Sequence, residues 1–443
     1  MELSRTDLHA CVSDPLLHTM SFLNEIMDRF PQALSFAPGA PYAGFFDDFE
    51  VAGYIERYTN WLQTHKGMRP EAVRKHLYQY GPSRGQINEL LAAALSADEG
   101  IEVDPRAIVV TAGCQEAMLL VLRALCRGAG DVVAVANPCF VGIAGAARLL
   151  DIPIVPVDET AHGLDLDQLG DVCARARAEG RRIRALYVAP DYSNPSGSQL
   201  GEAARLRLLD LAEREDFLIM EDNAYGFTAS EAERVPTLKA LDRCQRVVYL
   251  GTCAKICLPG VRVGFVVADQ VVDRTGGTPH LLSDELAQIK SMVTVNTSPI
   301  CQAIVGGMLL AHGGSLAAIG RDKAAFYRSN LERLLQALER HIGSDPELAA
   351  CVHWNRPRGG FFVRMSLPVE CDNSLLEVAA GTYGVLWTPM RYFCLNRSGD
   401  YQLRLSCSYL TGEQIEEGVR RLAAFLRDSR VLPHPAQSAE VTG

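Results

Sequence analysis

Short hydrophobic runs alternate with longer helical stretches through the middle of the chain, from about residue 108 to residue 268. The clearest runs are rich in β-branched residues, which favours buried strands. They are Ala107–Thr111, Val132–Ala136, Ala185–Ala189, Phe217–Glu221, Val247–Gly251 and Gly264–Ala268. Such alternation predicts an α/β fold with a mostly parallel central sheet that helices cover on both faces. In such sheets, ligands bind in the loops at the carboxyl ends of the strands.

Different patterns flank this central region. An apolar stripe at helical spacing, preceded by Asp14 as a capping residue, predicts a helix near the start of the chain. Its members are Leu16, Leu17, Met20, Leu23, Ile26, Met27 and Phe30. Beyond about residue 320, we predict a helix over Ala324–Ile342, a strand entry over Gly359–Val363 and a strand over Gln402–Ser406.

These patterns divide the chain into two predicted domains. Residues 66–320 would form the large domain. Residues 321–430 would form a smaller α+β domain over the cleft, and the N-terminal segment 1–65 would belong to it. The composition after Leu432 predicts a disordered tail over residues 431–443.

Composition narrows the class of protein. The chain has 443 residues, of which 48% are hydrophobic and 22% charged, which is ample for a large core. Its net charge of -10, without a basic run, argues against a nucleic-acid partner. Thirteen cysteines without zinc-ligand spacing suggest reduced thiols in a cytoplasmic protein. We see no leader peptide and no apolar stretch of the roughly 20 residues that a membrane span needs.

The strongest chemical signal is Lys255, just after the strand Val247–Gly251. Lys255 is expected in an irregular turn at the strand end, where its amine can reach a cleft, and Arg262 follows behind a Pro-Gly pair. A second cation nearby disfavours the ammonium form, which lowers the pKa of the lysine and raises its nucleophilicity. This suits a Schiff base with an aldehyde, and the arginine suits a phosphate on the same molecule.

A turn of small residues predicts the phosphate site. The run Thr111–Ala117 follows a strand and opens the apolar helix Met118–Cys126. Free N–H groups at the start of a helix point at a bound anion. Alone, the turn is better explained as an ordinary strand-to-helix connection, but Thr252 and Arg262 favour phosphate binding.

The segment around Lys255 resembles the cofactor-lysine motif of class I and II aminotransferases, which are fold-type-I enzymes dependent on pyridoxal 5′-phosphate (PLP). In that motif a small residue and a Ser or Thr precede the lysine, and Pro-Gly-x-Arg-x-Gly follows it. Further motifs occur in the family's order from about Leu34 to Phe425. The resemblance implies the fold-type-I transferase fold, with PLP as the cofactor.

The resemblance also implies roles around the cofactor ring. Asp222 would keep the ring nitrogen protonated, and Tyr225, three residues later, would donate to the phenolic oxygen. Asn194, in an Asn-Pro-Ser-Gly run, would bond the same oxygen. Phe140 would stack on the ring face, although a core phenylalanine is a competing interpretation. The residues implied at the phosphate are Gly113, Cys114, Gln115, Thr252 and Arg262.

Three residues are implied at the substrate and at the neighbouring subunit. Arg404 lies within an alternating strand and matches the family's arginine that grips the substrate carboxylate with two parallel bonds. Gly39 matches a backbone position near the same carboxylate, and Asn194 would also contact the substrate. Tyr80 matches a tyrosine that reaches the phosphate of the neighbouring subunit. The resemblance therefore implies a homodimer with shared active sites.

The chain departs from the family pattern beside the lysine. Cys253 and Ala254 replace the usual aromatic-Ser pair, which removes one hydroxyl near the phosphate. Cys114 and Cys139 also lie beside the expected pocket, either as buried small hydrophobes or as a catalytic thiol. Several segments, including Asp14–Leu17 and Ala40–Phe46, are most similar to the dihydroxyphenylglycine transaminases of actinobacterial secondary metabolism.

We therefore expect a transaminase acting on an aromatic or unusual amino acid and a 2-oxo acid in natural-product biosynthesis. Lys255, Asp222 and Tyr225 would be its catalytic residues, with Lys255 as general acid and base. An alternative is a PLP enzyme of elimination or carbon–carbon bond formation, acting for example on S-adenosylmethionine. A third hypothesis, the ligand-sensing domain of a transcription regulator, would need a helix-turn-helix segment before the domain.

Overall fold

An eight-stranded sheet lies at the centre of the larger part of the chain in our computed structural model, which describes residues 3–14, 16–17, 25–160, 163–273, 280–428 and 430–432. The strands are β1 (Leu34–Ser35), β2 (Ile108–Thr111), β3 (Asp131–Asn137), β4 (Ile154–Thr160), β5 (Gly163–Leu164), β6 (Arg182–Val188), β7 (Leu218–Asn223), β8 (Val247–Thr252), β9 (Gly264–Val267), β10 (Val271–Asp273), β11 (His280–Leu281), β12 (His353–Trp354), β13 (Phe362–Ser366), β14 (Val385–Leu386), β15 (Thr388–Pro389) and β16 (Gln402–Ser406). The central sheet has the order β2-β9-β8-β7-β6-β3-β4-β5. Its neighbours from β8 to β4 pair in parallel, as predicted.

Both ends of this sheet are antiparallel for a local reason. The chain returns from β8 to β9 through residues 253–263 without a crossover helix, so the two strands pair antiparallel, as do β9 and β2. At the other end, β5 folds back on β4. The sequence did not predict β4, because Pro156 and two acidic residues interrupt its apolar pattern.

Helices cover both faces of the sheet, which confirms the predicted α/β class. The helices are α1 (Val51–Thr64), α2 (Pro70–Tyr78), α3 (Asn88–Glu99), α4 (Cys114–Leu125), α5 (Val141–Leu149), α6 (Leu166–Ala178), α7 (Glu202–Glu215), α8 (Leu238–Leu241), α9 (Leu282–Val293), α10 (Pro299–Ala311), α11 (Leu316–Leu338), α12 (Pro346–Ala349), α13 (Asn373–Tyr383) and α14 (Gly412–Leu426). On β3, Val133 and Val135 face α4, α5 and α9, whereas Val132 and Ala134 face α6 and α7. This alternation explains why the run reads as continuously hydrophobic.

A second core forms around a four-stranded antiparallel sheet of order β12-β13-β16-β15. Helices α13 and α14 pack on it, together with the C-terminal half of α11. The N-terminal segment joins this core, because β1 pairs in parallel with β14 and both Ile26 and Phe36 are buried there. The strand predicted over Gln402–Ser406 is β16, with the same bounds.

The predicted domain boundaries at residues 65 and 320 differ from the packing of the chain. Helix α1 packs on α10 in the large core through Tyr58 and Leu62, so the N-terminal segment leaves the small domain before Val51. Helix α11 begins eight residues before the predicted start, where the Ser315 side chain caps it. Its first turns join the large core through Leu316 and Ile319, so one helix runs through both domains.

The two ends of the chain are described only in part. The Asp14 carboxylate accepts a bond from the Leu16 amide at 2.9 Å, as expected of a cap. Residues 16–17 and 25–29 are helical, but Met20 and Leu23 of the predicted stripe lie outside the described residues. The predicted tail also lies outside them from residue 433. Its first two residues contradict the prediction, because Val431 and Leu432 are buried in the small core.

Within the described part of the chain, no single helix is long and apolar enough to cross a membrane. One pair, Pro299–Ala311 and Leu316–Gly343, passes by length and composition when taken together, with a bend of 85° between its members.

Candidate active site

The carboxyl ends of the parallel strands open into a cavity of about 640 Å³. Most of the side chains that the sequence singled out line this one cavity. They are Gly39, Cys114, Gln115, Phe140, Asn194, Asp222, Tyr225, Thr252, Lys255, Arg262 and Arg404. Gly113 lies directly beside it, against Arg262. Tyr80 does not line the cavity, and its side chain is 84% exposed.

Lys255 projects into the cavity from the turn that follows β8. Its Nζ donates to the Gly39 carbonyl at 2.6 Å. Burial, together with Arg404 and Arg262, lowers the pKa of the lysine to about 8. A Cβ at position 39 would lie 2.8 Å from the Phe362 ring, so glycine allows the close approach of this carbonyl. The site thus holds an amine that is partly neutral near physiological pH.

Asp222 lies on the floor of the cavity at the end of β7. Its Oδ2 accepts a 2.6 Å hydrogen bond from the Tyr187 hydroxyl, and the Cys114 thiol lies 4.0 Å from Oδ1. Burial raises the pKa of Asp222 to about 6, against the opposing effects of Tyr187 and Lys255. Burial also raises the pKa of the Cys114 thiol well above its usual range, so the structure gives no support for a reactive thiolate there.

Tyr225 and Asn194 stand together on one side of the cavity. Burial raises the pKa of the Tyr225 hydroxyl, against the opposing effects of Arg404 and Asn194, so the hydroxyl stays protonated and able to donate. The Tyr225 ring meets Phe361 and Phe362 edge-on, with centroids 4.9 and 5.5 Å apart. Phe140 lies at the N-terminal end of α5 and is only partly buried, with its ring exposed to the cavity.

An anion cradle lies at the start of α4. Gly113 occupies the N-cap position with a φ of 83°, and a Cβ there would lie 2.3 Å from the Arg262 guanidinium. Only glycine therefore lets the guanidinium lie over the free N–H groups of the helix. Glu116 fixes this turn, since its carboxylate accepts from the Ala112 amide at 2.6 Å and from Lys290 at 2.8 Å. The combination of amides and guanidinium suits a phosphate.

Arg404 lies at the opposite side of the cavity and is 3% exposed. One terminal nitrogen donates to Asn194 Oδ1 at 2.6 Å, and the other donates to the Ala37 carbonyl at 2.5 Å. Phe362 and Phe393 lie on its faces, with centroids 4.4 and 4.6 Å from Cζ. The buried Nε has no hydrogen-bond partner within the described structure. Burial lowers the pKa of the guanidinium to about 10, so it stays charged at neutral pH.

Sequence reasoning missed several residues that complete the cavity. Tyr187 is the only aromatic residue of the predicted strand Ala185–Ala189, and this was the one feature of the sequence that could have identified it as a site residue. Phe393 follows no motif and lies in a short 3-10 helix of the small domain. Met27 and Asp28 also line the cavity, although the sequence offered them only as part of a helix near the N-terminus.

Comparisons with known proteins agree with this geometry. The family model described as aminotransferase class I and II matches residues 58–422. The chain belongs to the class I and II aminotransferases. It is 45% identical over 425 residues to an (S)-3,5-dihydroxyphenylglycine transaminase of Amycolatopsis orientalis. The alignment covers 96% of this chain and 95% of that protein.

Solved structures of aminotransferases share the fold. The multiple substrate aminotransferase of Thermococcus profundus matches with a TM-score of 0.79 and 26% identity, covering 96% of this chain and 98% of its own. The α-aminoadipate aminotransferase of Thermus thermophilus, complexed with N-(5′-phosphopyridoxyl)-L-leucine, matches with a TM-score of 0.76 and 28% identity. This match covers 96% of this chain and 98% of the aminotransferase chain. This protein is thus a PLP-dependent transaminase of fold type I, and PLP is its cofactor.

The residues of the cavity fit this cofactor. A partly neutral amine suits its aldehyde, the Gly113–Arg262 cradle suits its phosphate, and the buried Asp222 suits a protonated ring nitrogen. When bound, PLP supplies an electron sink that stabilises negative charge on the substrate Cα. The protein supplies the binding, orientation and proton transfer.

The lowered pKa of Lys255 predicts how the free enzyme takes up its cofactor. Below pH 8 the amine is increasingly protonated and cannot attack an aldehyde, so uptake should increase as the pH rises through about 8. The measurement is borohydride trapping of apoenzyme with PLP after a fixed short time, with the label on Lys255 quantified by peptide mass spectrometry. Lys255→Ala is the control. A midpoint near the ordinary 10.5, or label on another lysine, would contradict the assignment.

The Tyr187–Asp222 bond predicts graded effects on turnover. Asp222→Ala should cost about 3–5 kcal/mol of transition-state stabilisation, on the scale of breaking a buried ion pair. Tyr187→Phe should cost about 1.5–3 kcal/mol, because it removes one donor from a charged acceptor. Without that donor the pKa of Asp222 is expected to rise, so the acidic limb of the kcat profile should move to higher pH.

Tyr249→Phe provides the matched control for Tyr187→Phe. Tyr249 is also a buried tyrosine, on β8, which pairs with the opposite edge of β7 from the Tyr187 strand β6, but its hydroxyl accepts from Asn223 at 3.1 Å and it does not line the cavity. Equal pH profiles for the two variants would show that the Tyr187 hydroxyl has no specific effect on Asp222.

Proposed function

We propose that this transaminase transfers an amino group between an aromatic amino acid and a 2-oxo acid in natural-product biosynthesis. The observation that carries the proposal is the apolar part of the cavity lining. Met27, Met118, Val141, Phe393 and Tyr409 supply much of this part. An aromatic side chain gains most from burial in such surroundings.

The distribution of charge in the cavity supports the same conclusion. Its cationic lining residues are Lys255, Arg262 and Arg404. Lys255 and Arg262 are assigned to the cofactor and Arg404 to the α-carboxylate, so none of these lining residues is left for a second carboxylate. A dicarboxylic substrate would bury an unpaired charge, which is costly.

The similarity to the dihydroxyphenylglycine transaminase of Amycolatopsis orientalis supports both an aromatic substrate and a role in secondary metabolism. The alternative chemistry, elimination or carbon–carbon bond formation, has no such support.

We assign the catalytic work to three residues of the cavity. Lys255 would take the proton from the substrate Cα through its Nζ and deliver it to C4′ of the cofactor, and the second half-reaction would run this transfer in reverse. Asp222 would keep the ring nitrogen protonated, and Tyr225 would donate from its hydroxyl to the phenolic oxygen beside Asn194. Phe140 would lie on the ring face, and Thr252, Cys114 and Gln115 would line the phosphate end of the site. Gly39 and Asn194 would stand next to the substrate carboxylate at Arg404.

Two further proposals concern assembly and location. We propose a homodimer, since Tyr80 stays 84% exposed and away from the cavity of its own chain, as a residue directed at a neighbouring subunit would be. We propose a cytoplasmic location, because all thirteen cysteines are free.

A panel of amino donors tests the proposed substrate class. Single half-reactions of holoenzyme with 3,5-dihydroxyphenylglycine, tyrosine, aspartate and 2-aminoadipate would be followed by cofactor absorbance and by the 2-oxo acid formed. Aromatic donors should have a kcat/KM at least about tenfold higher, equivalent to about 1.4 kcal/mol. Faster reaction of the dicarboxylic donors would overturn the proposal. Release of ammonia without conversion of the cofactor would instead indicate elimination.

Replacement of Arg404 separates substrate binding from cofactor binding. Arg404→Lys cannot form two parallel bonds to a carboxylate, so kcat/KM for amino acids should fall by about 2–4 kcal/mol. Amines without a carboxylate should be much less affected, and the bound cofactor should remain. Arg364→Lys is the control, because Arg364 pairs with Arg404 in the sheet but does not line the cavity. Loss of the cofactor in the Arg404 variant would mean that this arginine is mainly structural.

A further inference from the structure

Asp28 is an acidic residue of the cavity that the proposed chemistry does not use. Asp222 and Asp28 are the carboxylates of its lining. Asp222 is 6% exposed and bonded to Tyr187, whereas Asp28 is exposed and has no hydrogen bond or ion pair within the described residues. A carboxylate of this kind is available to a ligand at little desolvation cost.

The helical turn that carries Asp28 is held in place from both sides. Ile26 is 1% exposed and packs in the small core, with Met27 and Phe30 against the same core. Arg29 pairs with Glu377 on α13 at 2.7 Å. These contacts fix the residues on either side of Asp28, so its presence in the cavity lining is a consequence of the packing and not of a free chain end.

The position of the α-carboxylate decides which part of a substrate Asp28 can meet. With that carboxylate at Arg404 and the Cα near Lys255, the substrate side chain occupies the remaining lining. The chemically distinct groups there are the Asp28 carboxylate and the Tyr409 hydroxyl among apolar side chains. A carboxylate accepts hydrogen bonds from hydroxyl, amide or amine groups and repels another carboxylate.

We propose that Asp28 determines side-chain specificity by accepting a hydrogen bond from the far end of the substrate side chain and by excluding dicarboxylic amino acids. The inference rests on the proposed function, because it specifies further which substrates the same site accepts. Applied to an aromatic substrate, it selects rings that carry hydroxyl groups.

Two matched pairs of amino donors isolate this effect. Glutamine and glutamate have nearly the same shape but differ in charge and in donor capacity at the end of the side chain. Dihydroxyphenylglycine and phenylglycine differ only in the ring hydroxyls. The quantity to compare is the ratio of kcat/KM within each pair, measured in half-reactions of holoenzyme, since a general loss of activity cancels in a ratio.

Asp28→Asn should lower the glutamine-to-glutamate ratio by about tenfold or more, since it removes the repulsion but keeps the shape. Asp28→Arg should lower it further and make glutamate the better donor. Asp28→Ala should reduce the preference for dihydroxyphenylglycine over phenylglycine by about 10- to 100-fold, the scale of a lost bond to a charged acceptor.

Glu25→Gln is the control, because Glu25 carries the same charge on the same turn but does not line the cavity. Unchanged ratios in the Asp28 variants, or equal changes in Glu25→Gln, would overturn the inference. The glutamine–glutamate ratio is independent of whether aromatic donors are preferred. The donor panel can therefore contradict the proposed function while the ratios still support the role of Asp28. Equally, the ratios can contradict the role of Asp28 while the donor panel supports the proposed function.

Discussion

Three charges in one cavity, two of them buried and one partly buried, set the constraint that the rest of the site obeys. Asp222 and Arg404 are buried and Lys255 is partly buried, and for each of them burial shifts the pKa in the direction that favours the neutral form. Each is balanced by a neighbour that is itself fixed by the fold: the Gly39 carbonyl, the Tyr187 hydroxyl and the Asn194 amide. The balance is incomplete, which leaves an amine with a pKa of about 8 and a guanidinium with an unused Nε. Such incompletely satisfied groups are the ones that a cofactor and a substrate can engage.

The proposed role of Arg404 makes substrate binding depend on three separate parts of the chain. Its guanidinium contacts Ala37 of the N-terminal segment, Asn194 of the large domain and Thr388 of the small domain. Helix α11 packs in both cores and therefore connects the two domains rigidly. A change in domain packing would therefore alter the surroundings of Arg404 first, whereas the proposed cofactor site depends mainly on the central sheet.

The sequence predicts those parts of the site that depend on short-range signals. Asp222 lies at the end of β7, and Lys255 and the turn at Gly113 come just after β8 and β2, so their positions at strand ends were sufficient to bring them together. Tyr187 was not predicted as an Asp222 partner, because its position depends on the register in which Val188 pairs with Glu221. Phe393 and Asp28 come from the small domain and the N-terminal segment, and no local pattern records how these pack over the cleft.

This division also separates the chemistry of the enzyme from its specificity. The family match covers residues 58–422 and contains Lys255, Asp222 and Arg404, to which we assign the binding of the cofactor and of the substrate carboxylate. Met27, Asp28 and Gly39 line the same cavity but precede the matched region. A fold and a cofactor do not determine the substrate. We propose that the side-chain preference comes in part from the N-terminal segment, because this segment places its own residues in the cavity without belonging to the central sheet, at whose strand ends Lys255 and Asp222 lie.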